Sequence, residues 1–323
     1  MDESIEERIL QLFKEWPWEP SREKIRIELD PKVNRFSTLL FSEENWQTIY
    51  KILRKSVNNG KSIYISNYFL PLDDIKHVAS RLYQEKYDYI LDFVAKYFEQ
   101  FKNFPDDIAI KINDILKNLL YNDILEETPE VLEYCESCGR IQIVGAKERS
   151  DECECGSRIF KIFKCILSPN VKKSLQSNQF LEIYVKEVFK EVGLRVISKE
   201  IDGNRVSTSV PYKVPPNPPV EVDVTAVHGD WLFLCECKTG KIVPNDVEVK
   251  LNKANRLVKR ICKQIGIQGL KVIYVWVTTE EVDRNVQPYG YLEDYDWLKD
   301  LLCIDGSKIT SLKNELQKKL LSL

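Results

Sequence analysis

Asp223, Glu236 and Lys238 are the residues of this chain whose types and spacing could do chemistry. Val220, Val222 and Val224 alternate with Glu221, Asp223 and Thr225, the period of a strand. His228, Gly229 and Asp230 supply a turn, and Trp231 to Lys238 is a second apolar run, short enough for a buried strand. Period two puts Glu236 and Lys238 on one face of that strand. Two carboxylates and an ammonium at the end of an apolar strand are costly to bury unpaired. A divalent cation held by hard oxygens is the natural reason to collect them. Such an ion polarises a phosphate and lowers the pKa of a water, while Lys238 would orient or activate that water. The chemistry is phosphodiester hydrolysis.

These residues need a hairpin to carry them and a helix to back it. Phe180, Leu181, Tyr184, Val185, Val188 and Phe189 recur at helical spacing ahead of Gly193, with Glu182 at the edge of the apolar face. Asp223, twelve intervening residues and then Glu236-Cys237-Lys238 resemble the pattern of the PD-(D/E)xK, or restriction-endonuclease-like, nuclease superfamily. The resemblance covers about residues 177–280, with Val222 standing where the superfamily's name has proline. It implies that the preceding helix donates a carboxylate, so that Glu182, Asp223 and Glu236 hold Mg2+ or Mn2+ and, with Lys238, form the catalytic set. Within the superfamily the segment looks most like the nuclease domains of CRISPR-associated, cyclic-oligoadenylate-activated effectors and of Holliday-junction resolvases. The resemblance thus implies a metal-dependent endonuclease, with DNA favoured over RNA, and admits a homodimer. It also admits a regulatory ligand or protein at the N-terminal domain, although residues 1–130 lack the alternating strands and helices of the nucleotide-sensing domains in those effectors. On the residues alone, Glu236 and Lys238 could instead be an ordinary ion pair and Asp223 a solvated strand residue.

With 323 residues and 43% hydrophobic content, two or three domains with real cores are expected. The longest apolar runs, such as Val272 to Val277, are too short to span a bilayer, and the acidic N-terminus has no signal-peptide pattern, so no membrane association and a cytoplasmic location are expected. A net charge of −3 is unusual for a protein that handles nucleic acid, but its distribution matters more. Residues 166–323 carry 23 Lys and Arg against 20 Asp and Glu, and residues 1–165 carry 24 against 30. A helix expected over 246–265 gathers Val247, Leu251, Ala254, Val258, Ile261, Cys262 and Ile265 on one side and Lys253, Arg256, Lys259, Arg260 and Lys263 on the other. That basic face could meet a phosphate backbone, or simply be the solvated side of a helix covering a sheet.

Cys135, Cys138 and Gly139 are followed, after a strand-like Arg140 to Val144, by Cys153, Cys155 and Gly156, and then by a second strand-like run, Ser157 to Phe163. Four thiolates make a closed tetrahedral site for a structural Zn2+, and the glycines let the backbone turn its amides toward sulfur. The pattern resembles a zinc ribbon. Cys165 is either a substitute ligand or a core thiol, and a pair of disulfides is the alternative that cytosolic chemistry disfavours. Ahead of it, helices are expected from the Ser4/Glu7 capping box to Pro17 and over 43–57, 72–104 and 106–120, with a strand at 62–66. Tyr83, Tyr87, Tyr89, Phe93, Tyr97, Phe98, Phe101 and Phe104 fit a bundle core better than base stacking. Downstream, a strand at 194–201 should turn at 202–204 into a partner at 205–210, with a stiff five-proline loop over 211–219, a buried strand at 271–277 and a helix at 311–323.

The expected fold is therefore α/β: a restriction-endonuclease-like mixed sheet flanked by helices over 169–323, preceded by a zinc ribbon over 131–168 and a mainly helical domain over 1–130. A non-catalytic nucleic-acid-binding or assembly protein built on the same scaffold is the alternative function.

Overall fold

The computed structural model describes residues 3–16, 20–145, 148–201, 203–207, 210–212, 220–286 and 288–323. The chain is mixed α/β and divides into two units, Met1–Glu44 with Lys173–Leu323, and Asn45–Lys172. The division departs from the boundaries read at 130 and 168, because the first helices carry apolar faces that find their partners in the C-terminal half. Helix α1 (Ile5–Glu15) opens on Ser4, whose Oγ accepts the Glu7 amide at 3.2 Å. Helix α2 (Arg22–Leu29) opens on Ser21, and α3 (Pro31–Ser42) on Asp30 with proline at its first position. Ile9, Phe13 and Trp16 join the buried cluster that holds Leu232, Leu234, Val258 and Tyr274. Phe36 and Phe41 lie 6.0 and 5.9 Å from the Phe180 ring.

The second unit comprises α4 (Trp46–Asn59), β1 (Ile63–Ser66), α5 (Leu72–Gln84), α6 (Asp88–Phe101), α7 (Asp106–Tyr121), β2 (Leu125–Cys135), β3 (Ile141–Val144) and β4 (Ile159–Leu167). Its sheet runs β1-β4-β2-β3, all antiparallel. An edge strand leaves backbone groups without a ladder, and here side chains take them. Gln100 bonds the Tyr64 amide and carbonyl at 3.0 and 2.8 Å, and the fully buried Asn113 does the same for Ser66 at 2.9 and 3.1 Å. The single helix expected over 72–104 is two helices, broken where Lys86 takes φ +60° without a glycine to announce it. Phe93, Tyr97 and Phe101 are core residues, whereas Tyr83, Tyr87 and Tyr89 are exposed.

Helix α8 (Pro169–Ser177) carries the boundary between the units, and α9 (Gln179–Glu191) follows it. Strands β5 (Arg195–Val196), β6 (Lys199–Ile201), β7 (Asn204–Val206), β8 (Val210–Tyr212), β9 (Val220–Val222), β10 (Val224–His228) and β11 (Trp231–Lys238) lead to α10 (Pro244–Ile265). Then come β12 (Lys271–Thr278), α11 (Pro288–Asp294), β13 (Leu298–Ile304) and α12 (Leu312–Leu321). The main sheet is mixed, in the order β13-β12-β11-β10-β5. The β10–β11 hairpin is antiparallel, and α10 carries the chain from β11 to the parallel β12. Even-numbered β11 residues Leu232 and Leu234 pack in one cluster with Val247, Leu251, Ala254 and Val258 of α10. On the other face Phe233 meets Phe189 of α9 edge-on, with ring centroids 6.3 Å apart. The strand expected over 194–201 is split: β5 joins the main sheet beside β10, while β6 and β7 form a separate hairpin at Gly203, whose φ of +76° suits glycine. Asp202 of the expected turn and residues 213–219 of the proline-rich loop lie outside the described residues.

Candidate active site

Asp223 sits at a break between β9 and β10. Its amide donates to the Cys235 carbonyl at 3.1 Å, the last bond of the β10–β11 ladder. Beyond it β9 turns away to pair with β8, which would strand the Cys237 amide. The Asp223 carboxylate replaces the missing strand: its Oδ2 accepts that amide at 2.7 Å. The side chain is thereby fixed against β11, one residue from Glu236, and is only 9% exposed.

Glu236 and Lys238 project toward α10, as the period of the strand requires. Both find counter-ions there. Lys250 places its ammonium on Glu236 Oε2, and Asp246, one turn earlier, holds Lys238. Asp246 also accepts the Val243 amide at 3.2 Å, so it caps α10 while it anchors the lysine. The Tyr274 hydroxyl donates to Glu236 Oε1 at 3.3 Å. Burial, then the Asp223 charge, pushes the Glu236 carboxyl up to about 8, with Lys250 and Tyr274 opposing. Burial likewise raises Asp223, against the Cys237 amide and the Lys250 charge. Burial disfavours the Lys250 ammonium, yet Glu236 and Asp223 keep it above the ordinary lysine value. Two carboxylates crowded into one apolar corner demand a cation, and Lys250 supplies one. Sequence reading missed Lys250 and Tyr274. The available signal was a lysine at the border of an apolar helical stripe, three residues after Val247 and four before Ala254.

Glu182 lies on α9, 6% exposed, and its charge reaches the thiols of Cys235 and Cys237, on the face of β11 opposite Glu236. The charges of Asp223 and Glu236 reach the Cys235 thiol as well. Among the described residues, four cysteines form the one group of metal-ligating side chains whose atoms all lie within 4.8 Å of one another, and the three carboxylates do not converge that closely. Asp223 and Glu236 fit a divalent cation as hard, adjacent, buried oxygen donors. They would hold it, with Glu182 the third carboxylate of the expected set. His228 pairs with Trp231 at the far end of the hairpin.

Along α10, Arg256, Lys259 and Lys263 are exposed and Lys253 is half-buried. None of the four is ion-paired among the described residues. Arg260 differs, because its guanidinium lies over the Trp16 ring at 5.7 Å, and Trp16 donates to Gln264 at 2.9 Å.

In the second unit Cys135, Cys138, Cys153 and Cys155 converge, with Cys135 and Cys155 sulfurs 3.5 Å apart and those of Cys138 and Cys153 3.6 Å apart. All nine cysteines are free, which removes the disulfide alternative. Four sulfurs about 2.3 Å from a tetrahedral Zn2+ lie roughly 3.8 Å from one another, close to the spacing observed. Gly139 and Gly156 take φ of +71° and +80°, so each knuckle turns where only glycine does so without strain. The Ser157 hydroxyl and amide lower the Cys155 thiol, while burial and the neighbouring cysteine sulfurs raise Cys153, as expected of thiols that share protons in one cluster. Cys165 is fully buried on β4, outside the cluster, where burial pushes its thiol up to about 12.

No known family's sequence pattern matches the chain, and no curated protein is similar to it. Solved structures similar to the chain in outline include those of two proteins. One is protein VC1899 from Vibrio cholerae, at 15% identity and a TM-score of 0.43, covering 98% of this chain and 61% of that one. The other is Can2 from Sulfobacillus thermosulfidooxidans in complex with cyclic tetra-adenylate, at 8% identity and a TM-score of 0.39, covering 98% of this chain and 60% of that one. The chain thus spans about 60% of the length of each. Among the described residues no helix is long and apolar enough to cross a membrane.

Proposed function

We propose that the first unit is a PD-(D/E)xK-type nuclease that hydrolyses phosphodiester bonds of nucleic acid, DNA before RNA, as a Mg2+- or Mn2+-dependent endonuclease. The observation that carries this reading is the juxtaposition of two buried carboxylates, Asp223 at the break between β9 and β10 and Glu236 on β11, with Lys238 two residues further on the Glu236 face. A bound divalent ion would supply Lewis-acid polarisation of the phosphate and a water of lowered pKa. Asp223 and Glu236 would hold that ion, each fixed by its backbone or side-chain partner. Lys238, released from Asp246, would orient the attacking water. Lys253, Arg256, Lys259 and Lys263 would grip the phosphate backbone. The four cysteines would hold a structural Zn2+ in the second unit. That unit also offers the place for a regulatory ligand or partner, and a homodimer would set two sites against two strands.

Incubating the purified protein with single-stranded, duplex and branched DNA and with RNA, with and without Mg2+ or Mn2+, tests the proposal. Metal-dependent cleavage is expected. Salt-sensitive binding with no cleavage under any metal would favour a non-catalytic nucleic-acid-binding protein, the reading that the unpaired α10 cations alone would support.

A further inference from the structure

The α10 contacts show a feature that the metal-site reading does not require. Both polar residues at the end of β11 are already paired with α10, Glu236 with Lys250 and Lys238 with Asp246, four residues apart on its first two turns. The Lys250 side chain is 28% exposed and the Glu236 side chain 4%, so the ammonium closes the solvent side of a buried carboxylate. A divalent ion taken by Asp223 and Glu236 meets the Lys250 ammonium on Oε2 and the Tyr274 hydroxyl on Oε1, and at either oxygen it meets the charge of that ammonium. Lys250 stands at the seam of α10, between the buried stripe of Val247, Leu251 and Ala254 and the stripe of Lys253 and Arg256. Its stem is long enough to swing from the first surface to the second.

We propose that Lys250 is a positioning residue of the site: an internal cation that holds Glu236 in place and competes with the divalent ion for it, swinging aside toward the basic stripe when the ion binds. The proposal rests on the nuclease reading above, and it concerns exchange of partners only, with no bond made or broken covalently. A purely structural lysine would leave metal affinity unchanged or lower it when removed. A competing one raises affinity when removed, because the ion no longer has to displace an ammonium and no longer feels its charge.

The test is calorimetric titration of the zinc-loaded full chain with Mn2+ alone, without nucleic acid. Wild type, Asp223→Ala, Lys250→Met and Lys250→Gln are compared, the last keeping a hydrogen-bond donor should the methionine variant fail to fold. We expect wild type to bind one Mn2+, Asp223→Ala to lose it, and both Lys250 variants to bind at least about tenfold more tightly. The same variants should melt earlier than wild type without Mn2+ and recover most of the difference with it. Wild-type binding that Asp223→Ala abolishes, with Lys250 variants no tighter than wild type, overturns the competition while leaving the metal site standing. No Mn2+ bound by any variant overturns the metal site and the competition together.

Discussion

Replacing Lys186 by methionine should unfold the first unit at markedly lower denaturant. Lys186 lies on α9, one turn after Glu182, and its ammonium is 3.2 Å from Glu28 Oε1 of α2. The two side chains are 6% and 1% exposed, so the pair is fully withdrawn from water. Glu28 Oε1 also accepts the Ser207 amide at 2.9 Å and the Ser207 hydroxyl at 3.0 Å. One carboxylate thus ties α2, α9 and the residue following β7 together. Deleting one partner of a buried pair costs about 3–5 kcal/mol, because the other charge is left in a low-dielectric site. The Ser207 donors remain and soften the loss, which places Lys186→Met near the lower end, about 3 kcal/mol. For a unit of this size that corresponds to roughly 6–12 °C in melting temperature. Urea unfolding followed by far-UV circular dichroism reads the free energy directly, provided the m-value is unchanged. Adding Glu28→Met to Lys186→Met should recover part of the loss, since an apolar pair has no charge to strand. A loss below about 1 kcal/mol for the single variant would refute the reasoning, since that is the range of a solvent-exposed pair.

Three further outcomes follow from the same contacts. Cys138→Ser should lower zinc from one per chain to nearly none by elemental analysis and destabilise the second unit, because it removes one of the four converging sulfurs. Brief EDTA treatment should abolish cleavage reversibly while leaving that zinc in place, because a carboxylate-held ion exchanges freely and a four-thiolate ion does not. Changing Lys253, Arg256, Lys259 and Lys263 together to glutamate should weaken duplex binding and reduce the slope of log affinity against log salt by about 3 to 4, measured by fluorescence anisotropy.

The elements that carry Asp223, Glu236 and Lys238 were legible in the sequence: β10, β11, α10 and β12 all lie where period two or 3.6 places them. The cysteine knuckles were legible for the same reason, spacing plus a glycine at the turn. What could not be read is what depends on partners distant in sequence. The affiliation of α1 with α10 rests on Ile9, Phe13 and Trp16 meeting residues more than two hundred positions away. Lys250 looks like any lysine on a helix flank until Glu236 is placed beside it. The break at Lys86 has no glycine or proline to mark it, and β13 carries charge at Lys299 and Asp300 on an edge where one face is half-open. Glu182, expected among the metal ligands, is a buried residue of α9, the helix whose Phe189 meets Phe233 of β11.

The most direct test of the nuclease assignment is the single-turnover rate of metal-dependent cleavage by wild type and by Asp223→Ala, whose lost bond to the Cys237 amide leaves the rest of the β10–β11 ladder intact. Loss of one metal-holding carboxylate should cost about 4 kcal/mol in the transition state, a fall in rate of about a thousandfold, with nucleic-acid affinity little changed. Cleavage by Asp223→Ala at the wild-type rate would contradict the account.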